Sequence, residues 1–138
     1  MWFLSAFSFI DRISEVEKDQ SITAFFTLKG SEEFLKDHFE GFAVMPGVLL
    51  LESLKQAAGL LLSGWEKSES GAYRLCEVEE AKFGQFVRPD SLLRVSARVV
   101  KTESGKIVLD GRIDLMGEHQ VVLGRALSAR FCLAPVAA

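Results

Sequence analysis

Between Leu93 and Val99 the chain alternates apolar Leu93, Val95, Ala97 and Val99 with polar Arg94, Ser96 and Arg98. Ile107, Leu109, Ile113 and Leu115 alternate in the same way with Val108, Asp110, Arg112 and Asp114, and Val121 to Phe131 behaves similarly. A period of two marks antiparallel strands with one face on a core and one in water. About four strands are therefore expected after Gly71, with ESGK and MGEHQ as tight connections. Upstream, Phe7 to Leu28 reads as two strands joined near Glu17 to Gln20. The second, SITAFFTL, is rich in the aromatic and β-branched residues that suit a half-buried pleat. The apolar start, MWFLSAFSFIDR, is expected to be the first strand of the domain.

Three segments break this rhythm. SEEFLKDHF offers Ser31 as a helix cap with acids in the first turn, enough for one or two turns ending near His38. EGFAVMPG has turn residues and no period, and is expected to be a loop. GVLLLESLKQAAGLLL then gives the most apolar stretch of the chain, with Pro46 placed where a first helical turn tolerates proline. Its apolar residues run nearly all the way round, so the helix should be buried on most sides until Gly64 ends it. Glu52, Ser53, Lys55 and Gln56 are the only polar side chains between Gly47 and Leu62. The order is strand, strand, short helix, long buried helix and four strands, an α+β domain occupying residues 1–138 in which an antiparallel sheet buries one long helix.

Composition narrows the function classes. The 138 residues are 49% hydrophobic and 25% charged, with 3 proline and 11 glycine, which excludes a disordered or collagen-like chain. A formal net charge of -3 lacks the basic excess of a nucleic-acid binder. Cys76 and Cys132 stand 56 positions apart with no CxxC and no histidine at ligand spacing, so they read as reduced thiols of a cytoplasmic protein and no metal site is expected. The apolar start ends at Asp11 and Arg12, short of the ~20 residues a membrane span needs.

Candidate chemistry concentrates between His38 and Glu52. Burial raises the pKa of a carboxyl group, so a glutamate on the second turn of an apolar helix could serve as an acid. A histidine with an ordinary pKa of about 6.5 could serve as a base at neutral pH. Gly47 and Val48 open the helix, where N–H groups lack internal acceptors and can hold a polarised carbonyl oxygen. Gln56, one turn after Glu52, shares its face and could orient it. Together these suit removal of a proton next to a carbonyl with loss of a leaving group. Each residue also has a plainer use: His38 as a structural hydrogen-bonder, Glu52 paired with an arginine from a strand, Gln56 bonded to the backbone. Ser53 has no nucleophile context, His119 lies in a turn, and Lys82, Arg88 and Arg94 suggest a basic strip that could receive an acidic partner.

HFEGFAVMPGVLLLESLKQAAG resembles the 3-hydroxyacyl-acyl-carrier-protein dehydratases of the hotdog fold, whose pattern is close to HFPGxPxMPGVLxxEAxAQAAG. His38, Phe39, Gly41, Met45 to Leu49, Glu52 and Gln56 to Gly59 match, and FSFIDRISEVE, FTLKGSEEFLKDHF and EEAKFGQFVRPDSL carry a weaker likeness along the chain. The resemblance implies a sheet wrapped around one central helix. It implies an acyl thioester carried on the phosphopantetheine of acyl carrier protein, its carbonyl held at Gly47 and Val48, with His38 as base and Glu52 as acid. It implies no metal or organic cofactor, and a homodimer at minimum, because the histidine and glutamate of one site come from different subunits. Departures are Glu40 and Ala43 for two prolines, Lys55 for a small residue, and Gly84 to Arg88 in the basic-proline stretch. A hotdog thioesterase and a non-catalytic acyl-binding subunit are the competing readings.

Overall fold

The computed structural model describes residues 8–29, 44–63 and 73–136. Six strands form one antiparallel sheet: β1 (Arg12–Glu17), β2 (Ser21–Leu28), β3 (Tyr73–Phe83), β4 (Ser91–Glu103), β5 (Lys106–Met116) and β6 (Val122–Pro135). Their order across the sheet is β1-β2-β4-β5-β6-β3. Among the described residues a single long helix, α1 (Gly47–Ser63), lies in the chain between β2 and β3. The α+β class and the sheet-around-helix form expected from the sequence are both present.

The alternation decides which way each strand faces. In β2, Ile22, Ala24, Phe26 and Leu28 are buried while Ser21, Thr23, Phe25 and Thr27 are half-exposed. Leu93, Val95 and Ala97 of β4, Leu109 and Ile113 of β5, and Leu127, Ala129, Phe131 and Leu133 of β6 continue the same core. Against it α1 places Leu50, Leu54, Ala57, Ala58 and Leu61, whose spacing of three and four puts them on one helix face. The approach is close at Gly111 in β5. A Cβ there would stand 2.8 Å from a Leu54 methyl and 2.9 Å from the Phe131 ring, so glycine is what lets the helix seat on the middle of the sheet.

The hairpins follow turn chemistry. Ser104 and Gly105, at φ 51° and 79°, join β4 to β5 with both central residues left-handed, which a two-residue hairpin of this hand requires. Asp19 at φ 61° helps turn β1 into β2.

Two expectations need correction. Within the described part of the apolar start, β1 begins only at Arg12, and Ser8 to Asp11 precede it outside the strand; residues 1–7 lie outside the described residues. Phe9 and Ile10 are nevertheless buried, with Phe9 edge-on to Phe26 at 5.7 Å, so their apolarity serves packing rather than a strand. The helix is also less enclosed than its composition suggested. The sheet covers one face, while Leu49, Leu51, Leu60 and Leu62 are half-buried and Val48 is 69% exposed. The short helix expected at 31–38 and most of the following loop lie outside the described residues.

Candidate active site

The start of α1 is fixed from behind. The Met45 N–H donates to the Val87 carbonyl at 2.8 Å, which ties the segment before the helix to the β3–β4 connection. The Pro46 carbonyl accepts from the N–H of Leu49 (3.0 Å) and of Leu50 (3.3 Å), so proline stands just before the first helical residue rather than inside the first turn. Gly47 and Val48 therefore present N–H groups that precede any helical acceptor. The Phe83 ring lies over Gly47, where an added Cβ would meet it at 2.8 Å. Phe83 is 36 residues away in sequence and was not singled out; only the strand order brings it to the helix start.

One turn further on lie Glu52, Ser53, Lys55 and Gln56, the polar side chains between Gly47 and Leu62. Glu52 is one-third exposed. Its Oε2 accepts from Gln56 Nε2 at 3.0 Å, and Gln56 Oε1 accepts from the Phe9 N–H at 2.7 Å. Because the amide oxygen takes the backbone N–H, the amide nitrogen must face the carboxylate. Ser53, fully buried, donates from Oγ to the Phe9 carbonyl at 3.0 Å. Residue 9 is thus gripped by both its N–H and its C=O. The two uses weighed for Gln56, orienting Glu52 and bonding the backbone, occur together. Among the described residues Glu52 pairs with no strand arginine; its ionic neighbour there is Lys55, with Nζ 3.9 Å from Oε1. His38 lies outside the described residues.

The expected basic strip does not form. β3, carrying Lys82, is separated from β4, carrying Arg94, by β5 and β6, so these residues cannot line up. Lys82 pairs with Glu80 at 3.2 Å, and Arg94 with Asp114 at 2.9 Å. The arginines gather instead on the sheet face opposite α1. Asp114, buried, also takes Arg125 at 3.1 Å and Arg112 at 3.5 Å, while Asp110 takes Arg130 at 2.7 Å and Arg98 at 3.4 Å. Burial works against the Asp114 carboxylate, but hydrogen bonds from Arg94 and Arg125 outweigh it and hold its pKa below the ordinary value. The hydrogen bond from Arg130 does the same for Asp110. An open groove of about 820 Å³ runs over this network, lined by Ser96, Arg98, Asp110, Arg112 and Arg130 among others.

Both cysteines are free. Burial, followed by the hydrogen bond to Glu79, pushes the Cys132 thiol up to about 11. Glu77, Glu79 and Cys132 bring ligand-type atoms within 4.8 Å of one another, a grouping the sequence reading did not anticipate. His119 is exposed at φ 57° in the turn before β6, as expected of a solvated residue.

One antiparallel sheet packed against one long helix, with a braced carboxylate on that helix, defines a hotdog-fold protein. The FabA-like domain family matches residues 4–125, and the chain belongs to that family. It is 40% identical over 96 residues to the 3-hydroxyacyl-[acyl-carrier-protein] dehydratase FabZ of Levilactobacillus brevis, covering 70% of this chain and 65% of that protein, slightly under two-thirds of its length. It is 37% identical over 113 residues to the protein of the same name from Pediococcus pentosaceus, covering 82% and 75%. Among solved structures, the dehydratase heterocomplex ApeI:P from Xenorhabdus doucetiae matches with a TM-score of 0.74 over 98% of this chain and 87% of that one. At 15% identity that likeness concerns the fold.

Proposed function

We propose that this chain is a lyase that dehydrates 3-hydroxyacyl thioesters carried on acyl carrier protein to trans-2-enoyl thioesters, in fatty-acid or related acyl-chain biosynthesis. The observation that carries the reading is the placement of Glu52. It is the one carboxylate on a largely apolar helix, braced by Gln56, and lies five residues from the N–H of Gly47. Five residues rise about 7.5 Å, and helical side chains lean toward the N-terminus. A carbonyl held at the helix start and a C3 hydroxyl at Glu52 therefore belong to one short acyl chain.

The N–H groups of Gly47 and Val48 polarise the thioester carbonyl, which acidifies the C2 hydrogen. His38 takes that proton. The C2 electron pair forms the C2–C3 double bond as the C3–O bond breaks, and Glu52 gives the departing oxygen its proton, releasing water. Gln56 keeps the carboxyl aimed. The step uses no metal or organic cofactor. His38 comes from the second subunit of a homodimer, and the half-open flank of α1, with exposed Val48 and half-buried Leu49 and Leu51, supplies apolar surface for such a neighbour. Among the described residues no helix is long and apolar enough to cross a membrane, and the setting proposed is the cytoplasm, where the two free thiols remain reduced.

The test follows a trans-2-enoyl thioester for loss of enoyl absorbance and appearance of 3-hydroxyacyl product by mass. Reversible hydration that falls at least ~10²-fold in His38→Ala and in Glu52→Gln, with the fold retained, is expected of positioned acid–base groups. Near-wild-type turnover in either variant defeats that assignment. Release of free acid selects a thioesterase, and binding of acyl carrier protein without turnover selects an accessory subunit.

A further inference from the structure

Lys55 departs from the small residue of the resembled pattern, and its surroundings give that departure a use. Of the four polar side chains between Gly47 and Leu62, Ser53 and Gln56 bond the main chain of Phe9, Gln56 also reaches Glu52, and Lys55 stands beside Glu52. The Lys55 side chain is only 25% exposed, and Lys is among the residues least often buried without a partner. Its ammonium stands 3.9 Å from Glu52 Oε1, while Gln56 holds Oε2 at 3.0 Å. The two carboxylate oxygens thus have different keepers, a neutral amide on one and a cation on the other.

We infer that Lys55 is a positioning residue for the proposed reaction, holding Glu52 Oε1 so that the carboxyl keeps one orientation through the cycle. The inference rests on the dehydratase reading above. When Glu52 has passed its proton to the departing hydroxyl, the carboxylate left behind faces the ammonium already in place, so no solvent must reorganise around the new charge. A surface pair at this spacing would contribute only a few tenths of a kcal/mol to helix stability. The expected effect therefore appears in turnover, with little change in folding.

The experiment compares wild type, Lys55→Met and Lys55→Arg in the dehydration direction, following the gain of enoyl absorbance from a 3-hydroxyacyl thioester, with melting temperature measured alongside. Methionine keeps the length of the stem and removes the charge. Lys55→Met should lose about tenfold or more in kcat with KM little changed, the size expected when a charge-assisted contact is lost. Lys55→Arg should recover most of that loss. In a Glu52→Gln background, Lys55→Met should cause no further fall, because the lysine acts through the carboxylate. Full turnover in Lys55→Met, equal losses in Met and Arg, or an undiminished Lys55→Met effect in the Glu52→Gln background each overturn the inference. A wild type that turns over nothing removes the dehydratase reading and this inference with it.

Discussion

Asp114 shows how much a single side chain organises here. It is a carboxylate with 1% exposure, met by three arginines from three different strands. Its pKa is held below the ordinary value, as is that of Asp110. Protonation is therefore harder in the folded chain than in the unfolded one. The resulting stabilisation is fully present above the unfolded pKa of about 3.9 and is lost as pH falls through the lower folded value. Asp114→Asn should thus be less stable than wild type near neutral pH, and the gap between their urea midpoints should close as pH drops below about 4. A gap that stays constant across that range would mean the arginines do not favour the charged form. The sequence displayed Asp114 only as a polar position in an alternating strand. Its burial comes from the strands on either side, which local pattern does not record.

At the scale of elements, α1 combines two jobs that its sequence keeps apart. Leu50, Leu54, Ala57 and Leu61 bind it to the sheet, and Gly111 makes room for the contact. Its first residues carry the N–H groups that the proposed reaction would set against the thioester carbonyl. Gly47→Pro deletes one N–H yet is compatible with a helix start, where proline is tolerated. Gly47→Ala keeps the N–H and adds the Cβ that presses on Phe83. If the Gly47 N–H polarises the thioester, the proline variant should lose roughly 10²-fold in kcat relative to the alanine variant, as for loss of one oxyanion donor. Circular dichroism should show the helix retained in both. Equal activity in the two would place the oxyanion contact elsewhere.

At the scale of the whole molecule, the proposed site needs residues from two subunits. Mixing inactive His38→Ala with inactive Glu52→Gln then gives heterodimers with one intact and one doubly deficient site. Random exchange makes half the dimers heterodimeric, so about a quarter of wild-type activity should return. Failure to recover any activity, with subunit exchange verified by mass, would mean that histidine and glutamate act within one chain. The half-open flank of α1 is the surface on which such a partner would bear.

The chain's periodicity by itself determined the α+β class, the four downstream strands, the β1–β2 hairpin and the long helix. Each depends on neighbours two to four residues apart, the range over which solvent writes its preference into sequence. HFEGFAVMPGVLLLESLKQAAG, read against the resembled pattern, also marked Gly47, Glu52 and Gln56. Tertiary structure alone decided what those residues touch. Phe9 reaches Gln56 and Ser53 across more than 40 positions, Phe83 covers Gly47, and the arginines surround Asp110 and Asp114 because β4, β5 and β6 lie side by side. Placing β3 at the far edge broke up the basic strip that Lys82 and Arg94 suggested. Such contacts arise from strand order and helix docking, which satisfy burial and hydrogen bonding over the whole chain at once, and no short window of residues contains them.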